Sequence, residues 1–320
     1  MPKTFRPEEV RRTSVVLTLL SCCALLLASS ASRAALSATP RKSTAFEFKS
    51  AQKNQAQPAR KGQAIAAPRV PEATLLQIIE AEDERRWDDA DLGKLLTDAN
   101  AAVRRRAALA AGRIGDEGAV APLAAMLRGD RDEGARAMAA FAIGEIESES
   151  GADALVEVLR LSRAPEVRAR VVEALGKIAA ALPEARQDSK KRIGAVITDA
   201  LASENKQARP NRALVLLGLT AMLRAKPENG ARTVALFLNS SDARVRADAS
   251  NALARLRAKE SLERLRAMLS SDTDAVARAN AARALGAAED AAGFDALALH
   301  ATTDADSRVR VSAVRALAQL

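Results

Sequence analysis

VRRRAALAAG, residues 103–112, is followed down the chain by six relatives of itself. Aligned on the small residue that closes each, they are ARAMAAFAIG at Gly144, VRARVVEALG at Gly176, ARPNRALVLLG at Gly218, VRADASNALA at Ala254, ARANAARALG at Gly286 and VRVSAVRALA at Ala318. The steps between closing residues are 32, 32, 42, 36, 32 and 32. A period of this size points to stacked supersecondary units, each leaning on the next.

One unit, from Asp116 to Ile146, shows what the module is. Val120, Leu123 and Leu127 fall at the spacing of one helical face. Gly129-Asp130-Arg131-Asp132 interrupts them with turn residues, and Ala139, Ala142, Ile143 and Ile146 then line one side of a second stretch. Each unit is therefore a short helix, a turn and a slightly longer helix. Gly144 lets a neighbouring backbone approach. The register persists: Leu155, Ile197, Leu265 and Leu297 take the place of Leu123, and Leu159, Leu201, Phe237 and Leu269 that of Leu127. Helices this short are marginal alone, since isolated helices need about 12–15 residues. Stacking supplies the burial, roughly 1.5–3 kcal/mol for each fully buried Leu or Ile. Residues 72–86 read as an additional N-terminal helix covering the first unit, which Trp87 seals. The residues around Pro183–Ser189 read as a widened loop that absorbs the long step.

Composition agrees. Alanine, leucine and arginine dominate, aromatics are 2% and tyrosine is absent. Such a core suits closely packed helices better than sheets. The formal charge of +9 is unevenly placed: residues 1–34 contribute +3, residues 35–71 contribute +6, and residues 72–320 are balanced. The repeats thus lack the basic stripe that nucleic-acid binding needs, and no nucleic-acid partner is expected. Both cysteines, Cys22 and Cys23, lie outside the repeats, and His300 is the one histidine. It occupies the place of Met126, Val158, Ala200, Leu236 and Met268 and reads as a half-covered helix residue. No phosphate loop, dinucleotide fingerprint or metal-ligand spacing occurs. Accordingly no catalytic residue, metal or cofactor is assigned.

The first 34 residues read as a signal peptide: Arg11 and Arg12, an apolar run from Val15 to Ala28, and small-residue exits at Ser29-Ser30-Ala31 and Ser32-Arg33-Ala34. Export to the periplasm or beyond follows. The alternative is an uncleaved anchor in the inner membrane, since the uncharged run from Thr13 to Ser32 is about the 20 residues a bilayer needs. Residues 35–71, with Pro40, Pro58, Pro68 and Pro71, read as a disordered basic linker. Membrane contact is expected only through this leader or linker.

The units resemble HEAT repeats, and their VRxxAAxALG signature with a short period is similar to the phycobilisome-lyase-type HEAT-like class of bacteria. The resemblance covers about 72–320. It implies an all-α fold, an α-solenoid (alpha-alpha superhelix) of about seven helical-hairpin repeats, and is nearly silent on activity.

Five Asp–Arg pairs recur: Asp98 with Arg104, Asp130 with Arg136, Asp242 with Arg246, Asp274 with Arg278, and Asp306 with Arg310. In each, a turn aspartate can cap the following helix and accept from an arginine of its own or the adjacent unit. The resemblance implies a structural ladder. A partner surface is read from positions that vary: Arg106, Leu109 and Arg113, then Met138, Phe141 and Glu145, then Arg170, Glu173 and Lys177, then Arg212, Val215 and Leu219. In related solenoids this face lines the inner curve. The candidate contact set is Arg106, Leu109, Arg113, Met138 and Phe141, apolar anchors within an arginine rim. The expected function is a non-enzymatic protein-binding scaffold of the cell envelope. The alternatives are the repeat part of a larger secreted enzyme, such as a HEAT-repeat peptidyl-prolyl isomerase, and a phycobilisome-lyase-like enzyme. The apolar flank of the last helix, before Leu320, is a further expected point of association.

Overall fold

Among the residues described by the computed structural model, 69–320, all regular structure is helical. The expected leader, and the linker up to residue 68, lie outside them. Two helices open the array, α1 (Glu72–Asp83) and the short α2 (Leu92–Leu95). The second helices of the repeats are α3 (Ala101–Ile114), α5 (Glu133–Ile146), α7 (Pro165–Ala181), α9 (Arg212–Ala225), α11 (Ala243–Leu256), α13 (Ala275–Ala287) and α15 (Ser307–Leu317). The first helices between them are α4 (Val120–Gly129), α6 (Ala152–Leu161), α8 (Gln187–Asn205), α10 (Gly230–Ala235), α12 (Leu262–Ser271) and α14 (Phe294–Thr303).

Each second helix starts at a residue that fixes its first turn. Asn100, Asp132, Asn211, Asp242, Asp274 and Asp306 are N-caps whose side chains accept a backbone N–H of the turn they open. Ala164 cannot, and there Pro165 at the first helical position presets the backbone instead. These N-caps step by 32, 32, 47, 31, 32 and 32 residues. The long interval is thus confined to one unit, and the 42 and 36 read from Gly218 are a misalignment. Leu223, not Gly218, stands where the other units place Gly or Ala. Gly218 instead admits Leu201: a Cβ there would lie 2.6 Å from Leu201 Cδ2. No widened loop occurs at Pro183–Ser189 either. The extra residues lengthen helices, α7 to 17 residues and α8 to 19.

The second helices pack backbone to backbone. A Cβ placed at Gly144 would lie 2.7 Å from Ala174 Cα, and at Gly112, Gly176 and Gly286 it would meet Ala142, Ala221 and Ala316 just as closely. Both layers supply larger apolar groups: on the first helices Leu123, Leu155, Ile197, Leu265 and Leu297 are fully buried, as are Leu127, Leu201 and Leu269, and on the second helices so are Ile143, Leu175, Leu214, Leu253 and Leu285. α1 adds Ile78 and Ala81 to this core, and Trp87 packs partly buried against it. At the far end, Val314 is 55% exposed, whereas Ala108, Ala140, Val172, Leu219, Ser250 and Ala282, at the same place in earlier units, are 2% exposed or less.

Replacing Gly144 with Leu should force α5 and α7 apart, because the group it meets is backbone. A loss of about 1–3 kcal/mol is expected from urea denaturation; an unchanged midpoint would show that the seam yields.

Candidate functional site

Sequence order pairs each aspartate with the arginine that follows it; space pairs them differently. Arg104 Nε and Nη2 donate to Asp130 at 2.6 and 2.7 Å, Arg246 to Asp272 at 2.7 Å twice, and Arg278 to Asp304 at 2.9 Å twice. Each is a bidentate bridge from one unit to the turn of the next, 26 residues on. The remaining Nη1 donates to the arginine's own turn, at the carbonyls of Asp98, Ser240 and Asp272, and Arg310 does the same at Asp304. Asp242, Asp274 and Asp306 are N-caps, as a turn aspartate can be. Asp98 and Asp130 lie two residues before one and accept the N–H of Asn100 and Asp132. Asp272 and Asp304 were missed, although the 26-residue spacing was there to find them.

The ladder is interrupted in the middle. Twenty-six residues after Arg136 stands Ser162, so Arg136 meets only Glu133, at 3.7 Å, and its buried Nε has no partner. Arg168 reaches Glu204 at 3.9 Å. On α9 the arginine is replaced by Val215, and opposite it stands Ser240. A cleft of about 770 Å³ opens at this point, with Val215, Phe237 and Val245 in its lining beside the Arg212–Asp242 pair.

Burial works to raise the Asp130 and Asp272 carboxyls, but the bonds from Arg104 and Arg246, the backbone N–H groups of Asp132 and Asp274 and the nearby arginine charges together outweigh it and hold both below the usual carboxylate range. At Asp304 the Arg278 bonds dominate and hold it well below. His300 is part of this rung, with Nδ1 3.1 Å from Asp304 Oδ2.

The surface positions are the sixth, ninth and thirteenth residues after each N-cap, opposite the side that packs on the first helices. They bring the five candidates onto one face of α3 and α5. Leu109, Met138 and Phe141 are half-buried there. The arginines are not a free rim: Arg106 and Arg113 both donate to Glu82 of α1, whose acidity is strengthened by them against the opposing effect of burial. Lys177 Nζ sits 4.3 Å from the Phe141 ring centre and Arg170 5.5 Å. Lys177 pairs with Glu145 and Glu173, and Arg170 with Glu173. The register on α9 is corrected as well. Val215 and Leu219 are 2% exposed and belong to the core, and the face there carries Leu217, Thr220 and Arg224. Sequence reasoning missed Glu82, which reaches this face only because α1 packs on α3.

Among the described residues, no group of three or more His, Cys, Asp or Glu side chains could hold a metal ion. No described helix is long and apolar enough to cross a membrane.

Helix pairs stacked on a shared interior define an α-helical repeat protein. A sequence profile of HEAT repeats matches residues 90–142, 122–218 and 230–318. The chain belongs to the HEAT-repeat family. It has no match among curated protein sequences. Among solved structures it is similar to human deoxyhypusine hydroxylase in complex with glycerol, at 24% identity over 75% of this chain and 97% of that one, TM-score 0.34. The complex of CpcE and CpcF of phycocyanin lyase from Nostoc sp. PCC7120 is 21% identical over 72% and 87%, TM-score 0.45. The HEAT-like repeats protein of the archaeon Thermococcus onnurineus NA1 is 15% identical over 73% and 97%, TM-score 0.46.

Two outcomes follow from the ladder. Ser162→Asp supplies the missing carboxylate opposite Arg136, and a gain of about 1 kcal/mol is expected in chemical denaturation. The gain should vanish in an Arg136→Ala background. Acid should act through the intact rungs. Their carboxyls are more acidic folded than unfolded, so their contribution is complete above the unfolded value, about 4, and is lost as pH falls below it. Urea midpoints from pH 7 to pH 3 should hold level to about pH 5 and then drop, less steeply in Asp130→Asn and Asp272→Asn.

Proposed function

We propose that the chain is a non-enzymatic scaffold of the cell envelope that holds a protein partner on the free face of its second helices. The observation that carries this reading is the trio Leu109, Met138 and Phe141, large apolar side chains only half-buried on two helices whose buried residues are mostly alanine. Large apolar groups left at a surface, beside charged groups already fixed in place, are what protein interfaces use as anchors. Lys177 and Arg170 of the next second helix lie over the Phe141 ring, so a partner meets an aromatic group already held in place. Location in the envelope rests on the leader: Arg11 and Arg12, the apolar run and its small-residue exit. The enzymatic alternatives, a repeat part of a larger secreted isomerase or a lyase-like enzyme, draw on resemblance rather than on any residue of this face. The one histidine is engaged with Asp304.

Phe141→Ala and Met138→Ala test the reading. With the full chain as bait in envelope extracts, both should abolish retention of the partner held by the unsubstituted chain, while stability changes by about 1 kcal/mol or less. A fall of about 3–5 kcal/mol, the cost of emptying a core site, would make these residues packing alone.

A further inference from the structure

Farther along the same face the charge pattern changes. Arg224 and Arg255 take the thirteenth place of α9 and α11, and Arg283 and Arg315 the ninth place of α13 and α15. Three of them, Arg255, Arg283 and Arg315, converge on one shallow cleft of about 190 Å³ floored by Ala254, Ala287 and Ala316. All four are exposed, and among the described residues no carboxylate lies within 4.0 Å of any of their guanidiniums. The nearest polar side-chain contact is Arg283 to Asn280 Oδ1 at 3.3 Å. Asp248, the one acid at the face positions of these four helices, is engaged by Arg244 at 2.8 Å. This contrasts with the other half of the face, where Arg106, Arg113, Arg170 and Lys177 each have a glutamate. Like charges converging without a counter-ion repel one another, and an anion placed among them relieves that.

We infer that the Arg255–Arg283–Arg315 cleft docks a short acidic segment of the partner protein, an inference that rests on the scaffold reading above. Guanidinium is a rigid planar fork matched to carboxylate. Neighbouring helices stand about 8–10 Å apart, and alternate residues of an extended chain share a face at about 6.6 Å, so alternate carboxylates come within reach of the long side chains of successive arginines. The small floor residues let the segment lie close to the helices. Nucleic acid fits less well. No aromatic side chain occurs in α9, α11, α13 or α15 to stack on a base. Toward α7 the cations of the face are already paired with Glu145 and Glu173, so the uncompensated positive stretch is too short for a longer polyanion.

The test titrates a fluorescein-labelled dodecapeptide of alternating Glu and Ala into the full chain, with the Gln-for-Glu peptide and a 12-nucleotide single strand as comparisons. The Glu peptide should bind saturably at low salt, weaken as salt rises and bind the folded triple variant R255Q/R283Q/R315Q about tenfold less well, three surface ion pairs being removed. The Gln peptide should not bind. Phe141→Ala should leave acidic-peptide binding unchanged, so the two readings fail separately. Equal binding to the triple variant, no saturable binding, or tighter binding of the oligonucleotide than of the peptide at the same salt overturns the inference.

Discussion

Backbone approaches backbone where Gly112, Gly144, Gly176 and Gly286 meet an alanine of the following second helix, and that contact governs how the rest of the array is built. A layer this close has no room for large side chains along its seam. Apolar bulk is displaced off the seam into the space between the layers, which Leu and Ile residues of both first and second helices fill. Because each hairpin finds part of its interior on its neighbour, no unit has a core of its own, and stability accrues along the array. Bulky residues on a second helix either enter the core, as Ile143, Leu175, Leu214 and Leu253 do, or stand on the opposite face, where Leu109, Met138 and Phe141 are found.

The arginine rungs are a second, directional constraint on the same stack. A bidentate pair fixes both the distance and the orientation between successive turns, which apolar packing alone leaves adjustable. Buried ion pairs are weak evidence for net stabilisation, but they are well suited to specifying register. Both constraints lapse at α9. Leu223 replaces the small seam residue, Val215 and Ser240 replace the rung, and the cleft opens beside these last two. The lengthened α8 precedes this helix, so the insertion and the lapse in regularity belong to one stretch of chain.

Most of this fold was legible because the repeats restate it. Leu123 and Leu127 have counterparts in nearly every unit, and periodicity alone places those on a buried face. What failed did so where a single residue had to stand for a position. Gly218 resembles the closing glycines but serves Leu201, so aligning on it moved the face register of α9 by five residues and exposed, on paper, two core side chains. The Asp–Arg pairs were visible as residues and not as partners, since adjacency in sequence competes with adjacency between units. The residues Pro183–Ser189 contain helix-breaking and polar types that read as loop, yet the chain resumes helix at Gln187. Glu82 was beyond reach: nothing in α1 signals that it will settle between Arg106 and Arg113.

Net charge hides the feature that distinguishes the two halves of the candidate surface. Residues 72–320 are balanced overall, which argues against a general polyanion site, but balance over an array says nothing of where the field lies. On α3 to α7 the face neutralises itself through Glu82, Glu145 and Glu173, and what it offers a partner is apolar area. On α9 to α15 the acids are absent or engaged elsewhere, and what it offers is uncompensated positive charge. On the proposed reading, a partner that presents an apolar anchor and an acidic stretch at matching distance would gain from both regions at once. Neither region alone would then discriminate strongly; their spacing would.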